Sequence, residues 1–367
     1  MKITLTTGIF PPDIGGPASF IPLLAEKLLE YNIEIDVITL SNEVEDYSKY
    51  PYKVTAISRK IKKPFRDYFV IKEIINSAKT SDFIFSNTLA FESAIASKIL
   101  NKPLIQKIVG DIAWERANSS GRFIATLDEY QKANLCLKSK LTNIYRNFAV
   151  NASDVIVTPS YYLANIVKNW GYQKDIKVIY NSVEFSKPTK KIVKDKFRII
   201  TVARLIPHKG IEAIIDTLKT LEIDFEYIII GDGPLRNKLE KASKDMNVKF
   251  LGNISKQEVA NWLFCSDLFI LNSSYEGLPH VVLESMYNEC CVIASDVGGT
   301  PEVVKHMENG ILFEYNNKDE LKQNILKIYN NESLRKYLLN NAKQFVQKFG
   351  NVNKMIKQYI DLFKGLN

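Results

Sequence analysis

The chain has 367 residues, 46% of them hydrophobic and 25% charged, an ordinary globular composition that excludes a disordered tail, a collagen-like fibre and a coiled-coil rod. At about 150 residues per domain, the length implies two or three domains, each able to bury a core without disulfides or metal. The net charge of +8 lies mostly in the first half, where residues 1–190 carry 25 basic and 19 acidic groups against 24 and 22 in the rest. That bias suits anionic partners such as phosphates, a membrane surface or nucleic acid, without choosing among them.

In chain order, the segment from Lys2 to Phe10 reads as a buried first strand. Its threonines and the Pro11-Pro12 pair argue against a signal peptide, and no apolar run reaches the ~20 residues that span a bilayer. The protein is therefore expected to be made and kept inside the cell. Ser19–Tyr31 and Glu92–Leu100 have helical periodicity, whereas Ile33–Leu40, Asp82–Ser86, Leu104–Val109 and Val155–Thr158 are short β-branched runs. Such alternation predicts a parallel sheet covered on both faces. The pattern stalls in the lysine-rich stretch Phe185–Lys196 around Pro188, then restarts with strands over Phe197–Val202, Phe225–Ile230, Val248–Phe250, Leu268–Leu271 and Cys291–Ala294. Two α/β domains, 1–188 and 189–351, are expected. The helical tail from Glu320 to Phe363 ends in a segment, about 352–367, that is expected to pack back on the first domain. No C-x-x-C pair accompanies Cys136, Cys265, Cys290 and Cys291, and three histidines are too few for a zinc module. Reduced, mostly buried thiols are the expectation.

Five loops at strand ends carry chemistry. Phe10-Pro11-Pro12-Asp13-Ile14-Gly15-Gly16-Pro17 lies between a strand and a helix. Its adjacent glycines admit close backbone approach and the helix start offers N–H groups, so it reads as a phosphate loop or a plain turn. It is not a G-x-G-x-x-G dinucleotide fingerprint. After the strand ending at Val202, Arg204 and Lys209 flank a loop and suit phosphate oxygens, though such pairs also occur as solvated surface cations. Gly231-Asp232-Gly233 follows the run Tyr227–Ile230 and sits where open α/β sheets bind ligands, or else is simply a tight turn. Glu276-Gly277-Leu278-Pro279-His280-Val281-Val282-Leu283-Glu284 is the most specific. A helix beginning near Pro279 would leave Glu276 in the loop and Glu284 on the second turn, one carboxylate on each side of an anion-binding helix end. Asp296-Val297-Gly298-Gly299-Thr300-Pro301-Glu302 reads as a tight loop with a helix starting at Pro301, structural or ligand-binding.

Taken in this order, these motifs resemble the retaining glycosyltransferases of family 4. The resemblance covers nearly the whole chain and is densest from Arg204 to Glu302, with Glu276 and Glu284 as the family's E-x7-E signature and Gly15-Gly16 as its glycine loop. It implies the GT-B architecture: α/β, two Rossmann-like domains with parallel sheets facing a central cleft, acceptor on the first and nucleotide-sugar on the second. By resemblance, Arg204 and Lys209 hold the donor diphosphate, Glu284 the ribose hydroxyls and Glu276 the sugar hydroxyls. Backbone groups of Gly15, Gly16, Gly231, His280, Val281 and Val282 complete the donor site. In Val109-Gly110-Asp111-Ile112-Ala113-Trp114, Asp111 matches the position near the donor sugar where relatives carry histidine or aspartate. This chain has no histidine before His208. Asp111 as an ordinary loop carboxylate is the alternative.

The implied reaction moves a hexose-type sugar from a nucleotide diphosphate sugar to a hydroxyl of a glycan, glycolipid or lipid-linked envelope precursor. Pro279-His280 resembles the Pro-Asn variant of UDP-sugar users. Retention is explained by same-face attack assisted by the departing phosphate, so no protein nucleophile is implied. No D-x-D motif occurs, and neither a cofactor nor an essential metal is expected. Five cations in Ser58-Arg59-Lys60-Ile61-Lys62-Lys63-Pro64-Phe65-Arg66 lie beside Tyr68 and Phe69, either a solvated loop or a peripheral contact with anionic membrane on the cytosolic face. Without a binding motif to accompany the charge, nucleic acid is not an expected partner. An epimerase or phosphorylase of the same architecture, or a non-catalytic nucleotide-sugar-binding module, are the competing readings.

Overall fold

The computed structural model describes residues 1–366 except Ile14, Val44, Ile124, Val183, Glu184 and Gly350, together with all their side chains but that of Lys348. It divides into two compact units, Met1–Tyr180 with Asn353–Asn367, and Asn181–Val352. The division thus falls earlier than the expected boundary at 188/189, and the described residues between 181 and 196 carry no regular element.

The first unit contains β1 (Lys2–Thr7), α1 (Gly16–Leu29), β2 (Glu34–Ser41), β3 (Lys53–Ser58), α2 (Phe65–Ala78), β4 (Phe83–Asn87), α3 (Ala90–Leu100) and β5 (Leu104–Lys107). It continues with α4 (Ile112–Ser119), α5 (Leu127–Lys132), α6 (Leu137–Asn151), β6 (Val155–Thr158), α7 (Tyr161–Asn169) and β7 (Ile176–Val178). The seven strands are all parallel in the order β3-β2-β1-β4-β5-β6-β7. β4 and β5 are buried along their whole length, as strands covered on both faces must be. α1 buries Ala18, Ile21, Leu24, Ala25 and Leu28, one face at helical spacing.

The second unit runs β8 (Phe197–Val202), α8 (Ile211–Leu218), β9 (Phe225–Ile230), α9 (Arg236–Ala242), β10 (Val248–Gly252), α10 (Lys256–Phe264), β11 (Leu268–Leu271) and α11 (His280–Tyr287). Then follow β12 (Cys291–Ser295), α12 (Thr300–Val303), β13 (Ile311–Phe313), α13 (Lys318–Asn330) and α14 (Glu332–Phe349). Its sheet is β10-β9-β8-β11-β12-β13, again parallel throughout. Ile199, Ile229, Ile270 and Ile293 on adjacent strands share a core with Ile214, Ile215 and Leu218 of α8. The last helix, α15 (Val352–Lys364), belongs to the first unit. Its Tyr359 and Phe363 pack edge-on against Phe85, and Tyr359 also meets Phe20.

In both sheets the chain starts in the middle, adds strands to one side and then crosses to the other. The order therefore reverses beside β1 in the first unit and beside β8 in the second. At such a switch point neighbouring crossovers leave in opposite directions and open a crevice at the carboxyl ends of the strands. The loops singled out in the sequence fall at these two places.

Candidate active site

In the second unit the site grows from the loop after β8. The backbone leaves the strand at Ala203, makes a 3-10 turn over Pro207–Lys209 and enters α8 at Gly210. The neighbouring turn after β9 is packed tightly on it: Leu205 N–H donates to the Asp232 carbonyl at 3.0 Å. A Cβ at Gly231, whose φ is +121°, would collide with the Ala203 carbonyl. The Gly231-Asp232-Gly233 turn thus supports the Arg204 loop. Arg204 itself is exposed.

Lys209 and Glu276 meet. Lys209 Nζ donates to Glu276 Oε1 at 2.5 Å, and Ser273 Oγ donates to the same oxygen at 2.6 Å. Both carboxylate and ammonium are largely buried, so little water screens the pair. Among the described residues the hydrogen bonds converge on Oε1, which leaves Oε2 to address a ligand. The Gly298-Gly299 loop carries the backbone beneath it: Gly299 N–H donates to the Glu276 carbonyl at 2.8 Å. Gly298 has φ +58°, and a Cβ there would strike that same carbonyl. The glycine loop before α12 is in this way the platform of Glu276.

Helix α11 starts at His280, with Pro279 as its N-cap and no side chain capping the first turn. Its N-terminal N–H groups, those of His280, Val281 and Val282 among them, lie directly after the Glu276 loop, and Val282 N–H turns back to the Pro279 carbonyl at 3.1 Å. Glu284 projects from the second turn, half-buried, with its carboxyl held above the usual range by desolvation while Lys256 opposes the shift. No hydrogen bond to that carboxylate exists among the described residues. A buried acceptor of this kind calls for donors from elsewhere, and hydroxyl groups are the natural ones.

Sequence reasoning passed over several contributors. His208, on the turn between Arg204 and Lys209, is pushed down to about 4 by burial and by Lys209, with Glu276 opposing and Arg204 adding to the fall. At neutral pH it is therefore an uncharged imidazole, and its carbonyl accepts from Ser274 N–H at 2.8 Å. Asn272 ties the site together from below, donating to the Gly210 carbonyl at 2.9 Å. The signal that was available for these was position alone, at the ends of β8 and β11.

In the first unit, Gly15 is the N-cap of α1 without a side-chain cap, and a Cβ on Gly16 would meet nothing within 4 Å. That helix start is open to a ligand; Ile14 of the same motif lies outside the described residues. Asp111 corrects the expectation placed on it. It is completely buried and is the N-cap of α4, with Oδ1 accepting from Ala113 N–H at 2.9 Å and Trp114 N–H at 3.3 Å. Oδ2 accepts from Gln131 Nε2 at 3.0 Å and from the Arg146 guanidinium at 2.5 Å. Both oxygens are spent on the fold, and Asp111 has no face to offer a sugar. It is a loop carboxylate that holds α4, α5 and α6 together.

The carboxylate open to ligand stands one turn further on. Glu115 lines a cavity of about 440 Å³ at the strand ends of β1, β4 and β5. Water reaches its side chain, yet the concave wall around it and the nearby Asp111 push the carboxyl up to about 7, against Arg116. Arg66, Arg116, Phe91, Tyr145 and Trp170 share the wall. Arg59 differs from its basic neighbours: it donates to Asp13 and to the Gly8 carbonyl, fastening the loop after β1.

A protein of two such units, each with its crevice at the switch point of a parallel sheet, has the GT-B fold. Solved structures of that architecture superpose along the chain: sucrose-phosphate synthase from Thermosynechococcus elongatus at TM-score 0.80 and 17% identity, covering 100% of this chain and 98% of that one. The Anabaena protein HepE, solved in complex with UDP and glucose, matches at TM-score 0.80 and 19% identity over the full length of both. Residues 14–187 match the family model described as Glycosyltransferase Family 4, and residues 182–345 the model described as Glycosyl transferases group 1. An uncharacterized glycosyltransferase of Methanocaldococcus jannaschii is 30% identical over 95% of this chain and 94% of its own. The chain belongs to this family and is a glycosyltransferase. Among its relatives is a Campylobacter jejuni α-1,4-N-acetyl-D-galactosaminyltransferase named for a diphospho-undecaprenol-linked saccharide, 26% identical over 88% of this chain and 86% of its own.

Proposed function

We propose that the protein transfers a hexose-type sugar from a UDP-sugar to a hydroxyl of a lipid-linked or other envelope glycan precursor, with retention at the anomeric carbon. The arrangement that carries this reading is the Lys209–Glu276 pair set beside the uncapped start of α11, with Glu284 one turn beyond.

Breaking the sugar–phosphate bond places positive charge on the anomeric carbon and negative charge on the departing diphosphate. Arg204 and Lys209 stand ready for that charge, as do the first N–H groups of α11. Glu276 Oε2 accepts from sugar hydroxyls and fixes the ring, and Glu284 accepts from the ribose. Because these cations and dipoles neutralise the leaving group, no metal or cofactor is assigned a step. The proton of the attacking hydroxyl passes to the departing phosphate, so no protein nucleophile is invoked.

The acceptor is assigned to the cavity of the first unit, whose mix of guanidinium groups, aromatic rings and the carboxyl of Glu115 suits a sugar joined to phosphate. The name of the Campylobacter jejuni relative supports a diphosphate-linked lipid acceptor. Such a substrate places the enzyme against the cytosolic face of a membrane, and residues 59–66 supply cations for that contact. Among the described residues no helix is long and apolar enough to cross one.

The test is turnover of a panel of UDP- and GDP-sugars with a short-chain diphospholipid saccharide, followed by NMR of the product. Release of UDP with an α-anomeric product from an α-donor is expected. Donor consumption that yields free or epimerised sugar instead would overturn transfer.

A further inference from the structure

Helix α6 is apolar on its outer side. Its inward face is mixed: Arg146 reaches Asp111, Asn143 accepts from the Tyr130 hydroxyl at 3.2 Å and Thr142 lines the cavity, beside the buried Ala149 and Val150. Its outward face is apolar, with Leu137 74% exposed, Leu141 57%, Ile144 64% and Phe148 46%. These four recur at helical spacing and form one stripe along about 17 Å of helix. On α2, which packs against α3 as α6 does, Phe65, Tyr68 and Phe69 are exposed as well. The link between them is α3, whose Phe91 stacks on Tyr145 at 3.6 Å and touches Phe148 at 5.5 Å.

An apolar surface of this extent is costly in water and marks a place where something docks. The charges around it say what. Between Gln131 and Ser153 the sequence has the exposed Lys132, Lys138 and Lys140 and no acidic residue, while Arg146 is turned inward to Asp111. Beside α2 stand the exposed Lys60, Lys62, Lys63 and Lys72. The acidic groups of α2 and the cavity wall are Asp67, held by Lys63 at 3.2 Å, Glu73 on α2, and Glu92 and Glu115 on the wall, fewer than the lysines around them.

We propose that the outward faces of α6 and α2 seat in the interface of a bilayer that carries anionic lipid, with Leu141, Ile144 and Phe65 entering the acyl boundary and the lysines meeting the headgroups. The inference deepens the reading of a lipid-borne acceptor and rests on it for its purpose. It also extends the contact from the 59–66 segment, whose Arg59 is occupied, onto a surface made by two helices. α2, α3 and α6 all supply walls of the 440 Å³ cavity, so docking on this face brings that cavity to the membrane that holds its acceptor.

The experiment is flotation of the full chain with vesicles of phosphatidylcholine alone and of phosphatidylcholine mixed with phosphatidylglycerol. Wild type floats with the anionic vesicles and not with the neutral ones. Leu141→Glu/Ile144→Glu weakens this binding at least about tenfold, and Lys138→Glu/Lys140→Glu does so most strongly at low salt. Both variants keep the wild-type thermal shift with UDP, which shows that they fold. Equal flotation of L141E/I144E and wild type, or no flotation of wild type, overturns the proposal. So does a wild-type dimer in sedimentation equilibrium that L141E/I144E dissociates, since a second copy then covers the face. If vesicles bind but no nucleotide shifts the melting point, the donor reading fails and the docking surface stands.

Discussion

Lys209 and Glu276, 67 positions apart in the chain, form one largely buried ion pair. Its ammonium comes from the loop after β8 and its carboxylate from the loop after β11, so two strand ends at the switch point are joined by one contact. An ammonium so placed is neutralised in the resting protein and becomes available when a diphosphate competes for it. Removal of the carboxylate should therefore harm catalysis more than nucleotide binding. Glu276→Ala is expected to lower kcat by about 100-fold or more while UDP still binds, measured by initial rates alongside calorimetric titration. A variant with unchanged kcat would remove Glu276 from the chemistry.

Glu284 makes the opposite prediction. Its half-buried carboxylate lacks a hydrogen-bonding partner among the described residues, and desolvation raises its pKa. The folded protein thus binds that proton more tightly than the unfolded chain, and its stability falls as pH rises through the interval between the two pKa values. Glu284→Gln should raise the melting point of the ligand-free protein at neutral pH and abolish most of the further rise caused by UDP. Thermal melts with and without nucleotide check both halves.

Asp111 should behave as a structural residue. Asp111→Ala leaves Arg146, itself 7% exposed, with a buried unpaired charge and uncaps α4. A loss of about 3–5 kcal/mol is expected, measured by urea denaturation of wild type and variant. Full stability with lost turnover would return Asp111 to the chemistry.

Glu115 offers a pH signature. With its carboxyl raised to about 7, ionisation is opposed by the fold, so Glu115→Gln stabilises the protein above pH 7 and has little effect near pH 4, where the native group is already protonated. The KM for acceptor should lose a pH-dependent step near 7 in the same variant, while the KM for donor keeps its profile. Melting curves and initial rates across that range read the two effects.

Much of this architecture was legible because parallel strands buried on both faces are β-branched runs: Phe197–Val202, Phe225–Ile230 and Leu268–Leu271 fall where the runs do. The edge strands β3, β7 and β13 escaped, since two are three residues long and Lys53–Ser58 has only one fully buried position. The carboxylates at 276 and 284 were recognisable from spacing relative to Pro279. Asp111 misled because a capping aspartate and a substrate-facing one look alike in sequence. Its donors, Gln131 and Arg146, arrive from helices that no local pattern connects to it. The outward apolar stripe of α6 escaped for a related reason: periodicity reports that a helix is amphipathic, and only packing reveals which face is turned outward.

We take Arg204, Lys209, the start of α11 and Glu284 to hold a nucleotide diphosphate in the second unit. A thermal-shift comparison of UDP, GDP, ADP and uridine, on wild type and Glu284→Ala, tests it most directly, because ligands that bind the native state raise its midpoint by mass action. A rise with UDP is expected that exceeds those of GDP and ADP, is absent with uridine and is largely lost in the variant. A wild-type protein that no nucleotide shifts, or a UDP shift that Glu284→Ala leaves intact, would contradict it.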